Sequence, residues 1–129
     1  RIARQLVPFL GPDRYLGIDK GRLLIEQGYL YELRPQDRIE KRPRFAVSAD
    51  FEFDLLAGDP PPDVSIAGSL ITHLHVREIR RLLQALRAFV AVGHVFFATY
   101  VVRQKEEANP TYSSAIASFR YNMSDLSTV

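Results

Sequence analysis

The side chains best suited to chemistry in this chain stand directly after short apolar runs. Asp19 and Asp50 each close or follow such a run, and Gly68 and Ser69 follow another. An ionised carboxylate can accept several hydrogen bonds, and small residues let a ligand approach the backbone closely. Because the carboxyl ends of parallel strands open onto a crevice, these four positions predict a ligand site at one edge of a sheet.

His73 is the candidate for proton transfer, since imidazole changes its charge near neutral pH. The alternative is a histidine that fills a loop and bonds to backbone. His73 and His75 together also have the spacing of a partial metal site. Two ligands without nearby acids are too few to hold a metal ion, so no metal is expected.

The elements that must position these residues are clearest in the middle of the chain. Apolar residues recur every three or four positions over residues 76–90 and predict one amphipathic helix. Glu78 suits the positive amino-terminal end of that helix. The apolar runs 64–67 and 95–102 predict strands before and after it, the second of them covered on both faces. Strand, helix and strand predict a right-handed βαβ unit.

The first half of the chain predicts a second alternation of helices and strands. Residues 1–10 predict a short helix, and residues 14–19 and 45–49 predict strands. Residues 20–34 predict a helix that the following proline ends. Residues 36–43 are charged and are interpreted as a connector.

Bulk composition excludes several classes of protein. The chain has 129 residues, 47% of them hydrophobic, with a net charge of +2 and no cysteine. This length predicts one modest domain, and the slight charge does not indicate a nucleic-acid partner. With no cysteine and no apolar run of about 20 residues, we expect a cytoplasmic protein that does not enter a membrane.

The order of these elements and their end residues resembles a class I S-adenosylmethionine-dependent methyltransferase. RYLGID resembles that family's second strand, AGSLITHL its fourth strand and following loop, and residues 75–100 its next helix and fifth strand. AGSLITHL is similar to the enzymes that act on small molecules and lacks the Asp/Asn-Pro-Pro-Tyr box of enzymes that act on DNA adenine. The resemblance covers most of the chain and implies an α/β fold, three-layer and Rossmann-like, with a mostly parallel sheet.

The resemblance also implies a cofactor and a site. S-adenosylmethionine would donate a methyl group to a small-molecule acceptor and leave S-adenosylhomocysteine. Asp19 would accept hydrogen bonds from the ribose hydroxyls, and the residues around Asp50 and Phe51 would lie along the edge of the adenine ring. The implied cofactor-binding residues are Asp19, Lys20, Asp50, Phe51, Gly68 and Ser69, with His73 as the catalytic residue. Placement of donor and acceptor can supply most of the acceleration of such a transfer.

Parts of the family pattern are missing from this chain. The glycine-rich turn after the first strand is absent, and so are the last two strands. Residues 1–129 therefore predict a single methyltransferase-like domain that is incomplete at both ends. A parallel sheet without a middle strand exposes unpaired backbone groups, so we expect a missing segment, a second copy in a homo-oligomer, or a rearrangement to complete the sheet.

Structural roles compete with these assignments. Asp19 and Asp50 also suit helix N-caps, which aspartate fills at many strand-to-helix turns. A degenerate domain without the cofactor turn would serve as a non-catalytic module for protein interaction or structure. A third class, an NAD enzyme or another dinucleotide binder, fits AGSLITHL poorly.

Overall fold

The computed structural model describes residues 2–58, 60–102, 109–113, 116 and 118–127. Contacts group the chain into two compact units, Arg1–Pro60 (unit 1) and Pro61–Val129 (unit 2). Both units mix helices with short parallel strands, so the α/β composition is confirmed. That the chain forms a single domain stays a prediction.

The helices of unit 1 differ from their predicted bounds. Helix α1 spans Ile2–Leu6 and continues as a 3-10 turn. Helix α2 spans Arg22–Gln27 and continues as a π-helix over Gly28–Glu32. The connector predicted at residues 36–43 is wrong, because helix α3 occupies Pro35–Lys41. Pro35 starts this helix, since a first-turn position needs no N–H donor and suits the fixed φ of proline.

Strands β1 (Leu16–Asp19) and β2 (Arg44–Val47) form the parallel sheet of unit 1. The Phe45 ring lies between two tyrosines, with centroid distances of 5.6 Å to Tyr15 and 5.9 Å to Tyr29. Gly17 leaves room for that ring, because a Cβ there would come within 2.6 Å of it. Burial raises the pKa of the Tyr15 hydroxyl above its usual range.

A charged link ties the amino ends of these two strands together. Asp13 precedes β1 and Arg42 precedes β2, and both adopt positive φ, at 60° and 46°. The guanidinium of Arg42 donates to both carboxylate oxygens of Asp13, with Nε at 3.0 Å from Oδ1. The Asp13 N–H also donates to the Lys41 carbonyl at 2.7 Å. The link therefore fixes where the parallel pair begins.

Unit 2 is built on strand β3 (Val64–Ala67), helix α4 (Val76–Phe89) and strand β4 (Val95–Ala98). The two strands pair in parallel, with Ala67 opposite Ala98. The predicted helix is confirmed and ends one residue early, and its apolar stripe supplies the buried residues Ile79, Leu82 and Leu86. His75 caps it by accepting the Arg77 N–H at Nδ1, 3.2 Å away.

The prediction of one strand over residues 95–102, covered on both faces, is wrong. The strand breaks after Ala98, and β5 occupies Val101–Val102, which pairs with β6 at Arg120–Tyr121. Side chains on one face of the β3·β4 pair are about half exposed, at 46% for Val95 and 58% for Phe97. A pair of four-residue strands gives each face too little width to be fully covered.

Helix α5 (Met123–Ser127) closes the described part of unit 2. The Asp125 carboxylate accepts the Asn122 N–H at 2.9 Å, as an acidic side chain in a first helical turn does. Within the residues that the structure describes, no helix has the length and apolar character needed to cross a bilayer.

Candidate functional site

Asp19 lies at the carboxyl end of β1 and is exposed. Its Oδ1 accepts the Gly21 N–H at 2.7 Å, which makes an Asx-type turn into α2. The N-cap residue of α2 is Gly21, and no side chain caps that helix. The predicted alternative, Asp19 as N-cap, is therefore wrong, and Asp19 instead shapes the turn before the cap. Lys20 beside it is exposed as well.

Asp50 and Phe51 lie in the turn that follows β2. The turn is organised by Ser48, whose Oγ accepts the N–H groups of Asp50 at 3.1 Å and Glu52 at 3.2 Å. The same hydroxyl donates to Glu52 Oε2 at 2.8 Å. Phe51 sits at φ 58°, a left-handed conformation that is rare for a bulky residue. Outliers of this kind concentrate at ligand sites and switch regions.

The parallel register of unit 1 brings these two turns to one edge. Asp19 lies opposite Val47, and the Ser48 N–H donates to the Asp19 carbonyl at 3.0 Å. The turn that carries Asp50 and Phe51 therefore leaves the sheet beside the turn that carries Asp19. The four residues predicted for this unit share the carboxyl edge of β1·β2.

Gly68 and Ser69 follow β3 in unit 2, as predicted. Ser69 also adopts a left-handed conformation, at φ 59°. Its N–H donates to Thr99 Oγ1 at 2.7 Å, and Thr99 follows β4, the neighbouring strand. Its carbonyl accepts the Thr72 hydroxyl at 2.8 Å. Both threonines hold the turn in place, and sequence reasoning missed both of them.

His73 ends a 3-10 turn, Ile71–His73, that immediately precedes α4. Its N–H donates to the Leu70 carbonyl at 3.0 Å, and the residue is half-buried. It belongs to the same loop as Gly68 and Ser69, so the structure keeps the three predicted residues of unit 2 in one segment. No group of three His, Asp or Glu side chains in the described part of the chain could hold a metal ion.

His75 explains why a histidine pair stands before α4. Its Nδ1 accepts a hydrogen bond, so the ring is in a tautomer that carries no proton on that nitrogen. Its own N–H donates to Ser113 Oγ at 2.7 Å, and its ring meets that of Phe119 edge-on at 6.2 Å. His75 thus has a structural role that its position before the helix could have indicated.

The grooves of unit 1 are separate from its predicted site residues. One hollow, of about 770 Å³, is lined by residues of the α1 and π-helix regions that include Phe9, Tyr31 and Arg34. A smaller one, of about 380 Å³, is lined in part by Tyr29 and Phe45. Among the described residues that line these two hollows, none belongs to the predicted site.

Chemically, unit 1 presents a carboxylate and an aromatic side chain at one sheet edge, and unit 2 presents small residues and an imidazole in one loop. The carboxylate oxygens of Asp19 can accept hydroxyl groups, and the turns around it are shaped by hydrogen bonds that are already formed. Against known proteins, the chain matches no family model, no curated protein and no solved structure.

Proposed function

We propose that this chain is the nucleoside-binding part of an S-adenosylmethionine-dependent methyltransferase that acts on a small molecule. The observation that carries the proposal is the shared edge in unit 1. Asp19 and the turn of Asp50 and Phe51 follow neighbouring parallel strands at the same end. In open α/β sheets, ligands bind outside the carboxyl ends of the strands.

The geometry of Asp19 is compatible with a ribose ligand. One of its oxygens accepts the Gly21 N–H, but an ionised carboxylate has about four lone-pair sites on its two oxygens. The turn bond therefore leaves acceptor capacity for two hydroxyl groups. It also orients the carboxylate, so that less side-chain freedom is lost when a ribose binds.

The second turn supports an adenine beside Phe51. Ser48 makes three hydrogen bonds within the turn, and these hold Phe51 in its left-handed conformation. The Phe51 ring on this backbone would offer a flat apolar surface to a base, and stacking on an aromatic side chain contributes about 1–3 kcal/mol per base. Asp50 would accept a donor at the edge of that base.

The proposal includes a larger fold. The chain would adopt the three-layer, Rossmann-like fold with a mostly parallel sheet that a further segment or a second copy completes. The loop of Gly68 and Ser69 would lie beside the methionine moiety, and His73 would face the acceptor. His73 would take the proton that an acceptor hydroxyl or amine releases on methylation.

One observation favours the alternative of a non-catalytic module. The hydrogen bond from Gly21 already accounts for an aspartate at position 19, so this residue has a structural reason to be there. In that case the chain would keep the strands and turns of a methyltransferase-like domain and act in protein interaction or structure.

Calorimetric titration with S-adenosylhomocysteine tests the proposal. We expect the chain to bind it with a micromolar Kd, and both Asp19→Ala and Asp19→Asn to weaken that binding. The asparagine variant is decisive, because its oxygen can still accept the Gly21 N–H and keep the turn, while the charge and one acceptor oxygen are lost. Asp54→Ala, at an exposed acid of the same unit, is the matched control.

Three outcomes would count against the proposal. A folded chain that does not bind S-adenosylhomocysteine supports the non-catalytic module. Binding that survives Asp19→Asn and fails only in Asp19→Ala assigns this residue to the turn alone. Binding of NADH in the same cell, without binding of S-adenosylhomocysteine, assigns the chain to the dinucleotide class.

A further inference from the structure

The loop that carries His73 is anchored on both sides by residues from the far end of unit 2. Phe119 donates its N–H to the Thr72 carbonyl at 2.7 Å, and Tyr121 donates its hydroxyl to the Leu74 carbonyl. Thr72 and Leu74 are the direct neighbours of His73. The two bonds therefore fix the backbone immediately before and after the imidazole.

The anchoring residues are themselves firmly held. Phe119 is 0% exposed and Tyr121 is 2% exposed, and their rings stack at 6.1 Å with an interplanar angle of 9°. The side-chain amide of Asn109 bonds both the N–H and the carbonyl of Arg120, each at 2.9 Å. The backbone of Arg120, between the two aromatic residues, is thus held by two hydrogen bonds.

We propose that Tyr121 is a positioning residue for His73. This inference rests on the proposed function, which assigns His73 to the transfer site. A single 3-10 turn has poor hydrogen-bond geometry and little stability of its own. Anchoring both of its flanks keeps the imidazole in one orientation, and proton transfer requires the base to lie within hydrogen-bond reach of the acceptor.

The test compares two substitutions that each remove one hydroxyl group from the full chain. Tyr121→Phe keeps the buried ring and loses the bond to Leu74, whereas Tyr112→Phe alters a side chain of a residue that is 72% exposed. Two properties are measured without ligand: hydrogen exchange at the amides of His73 and Leu74, and the ring signals of selectively labelled histidines.

We expect Tyr121→Phe to speed exchange at these two amides about fivefold, as the loss of one hydrogen bond predicts. The His73 ring signal should shift or broaden, while the His94 signal and the amides of α4 stay unchanged. Tyr112→Phe should change none of these properties. The His94 ring bonds Ser65 Oγ at 2.9 Å and therefore serves as an internal reference in the same unit.

Two results would overturn the positioning role. One is an unchanged His73 ring and unchanged exchange at its amide in Tyr121→Phe. The other is an equal rise of exchange throughout α4, since that would be a general loss of stability. The titration with S-adenosylhomocysteine tests the proposed function separately. If the chain does not bind this compound but Tyr121→Phe still changes exchange at residues 73 and 74 and the His73 ring signal, the proposed function is overturned and Tyr121 remains the residue that orders His73.

Discussion

The turns after β1 and β2 in unit 1 and after β3 in unit 2 carry the candidate residues, but the two units hold their turns by different kinds of contact. In unit 1, the side chains of Asp19 and Ser48 bond to groups two or four positions away. In unit 2, the loop from Ser69 to His75 receives side-chain bonds from residues 30, 38 and 47 positions away. A turn held by its neighbours depends on its own sequence, whereas a loop held from a distance depends on the tertiary fold.

Two long-range side-chain hydrogen bonds of unit 1 lie at the opposite end of its strands. Arg42 reaches Asp13 across 29 positions, and Arg44 donates to the Ala57 carbonyl at 3.1 Å across 13. Both arginines stand at the amino end of β2. We infer that damage to the packing of unit 2 spreads to its candidate loop, while similar damage to unit 1 spares the Asp19 turn.

The largest effect is expected from Phe119→Ala. Phe119 is fully buried and lies against both His75 and Tyr121, so its removal leaves a cavity and should cost about 3–5 kcal/mol. Exchange at the amides of residues 72–75 should rise with that loss, while the Gly21 amide in unit 1 keeps its protection. Native-state hydrogen exchange of the full chain measures both at once.

Phe97→Ala is the matched control for Phe119→Ala. It deletes the same side chain in the same unit, at a residue that is 58% exposed, and should cost much less because less apolar surface returns to water. Equal losses in the two variants would contradict the packing described for unit 2. A loss of Gly21 protection in Phe119→Ala would contradict the independence of the two turns.

A smaller effect is expected from Gly17→Ala in unit 1. The added methyl group would lie within 2.6 Å of the Phe45 ring, and overpacking of this kind costs about 1–3 kcal/mol. Gly28→Ala is the matched variant, because a Cβ there meets no atom within 4 Å, and replacing glycine inside a helix should stabilise by up to about 1 kcal/mol. Thermal unfolding of both variants measures the difference.

The comparison of the units also predicts whether Gly17→Ala alters hydrogen exchange in the Asp19 turn. The Asp19 turn depends on the Gly21 N–H and not on the Phe45 ring, so exchange at the Gly21 amide should rise only as far as unit 1 as a whole loses stability. A selective loss at Gly21 would show that the turn depends on the packing behind it. Equal melting temperatures of the two alanine variants would refute the close approach of Gly17 to Phe45.

The same division into local and distant contacts explains what the sequence could predict. The strand at β3, helix α4 and the positions of Asp19, Asp50 and Ser69 at or after strand ends follow from patterns a few residues long, and the structure has these elements there. Ser48 was missed, although serine hydroxyls commonly bond backbone groups about two positions on and so form such turns. Thr99 and Tyr121 could not be found, because their partners lie 30 and 47 positions away.

The helix bounds of unit 1 were predicted wrongly for local reasons that helix propensity alone cannot decide. The sequence pattern predicts that Pro35 ends a helix, whereas Pro35 begins α3 in the structure, because proline suits both places. The Arg34 guanidinium donates to Asp37 at 2.6 Å across the first turn of that helix, which favours a start at Pro35. The π-helix at Gly28–Glu32 has the same apolar spacing as an α-helix over so short a length, so the sequence does not distinguish them.

The smallest loss of stability is expected from breaking the charged link at the amino ends of β1 and β2. This link lies at the opposite end of the strands from the candidate site, so it tests whether the Asp19 turn is independent of distant contacts. The hydrogen bond from Arg42 holds the pKa of the Asp13 carboxyl below its usual range. A depressed folded-state pKa gives stability that is present above the unfolded value, near 3.9, and is lost as the pH falls through the folded value. Asp13→Asn should therefore lower the stability of unit 1 at neutral pH, and this effect should shrink progressively as the pH falls below about 3.9.

Urea unfolding of the native chain and of Asp13→Asn, repeated from pH 7 down to pH 3, measures this difference. The gap should be small, since both side chains are more than half exposed and surface ion pairs contribute little, and it should narrow further in high salt. Asparagine tolerates the left-handed backbone at this position, so a gap that does not narrow below about pH 3.9 would be due to the turn and not to the charge. The link lies at the amino ends of the strands, so hydrogen exchange at the Gly21 amide should rise only as far as unit 1 as a whole loses stability. A larger rise at this amide would mean that the carboxyl-end turn of unit 1 also depends on distant contacts.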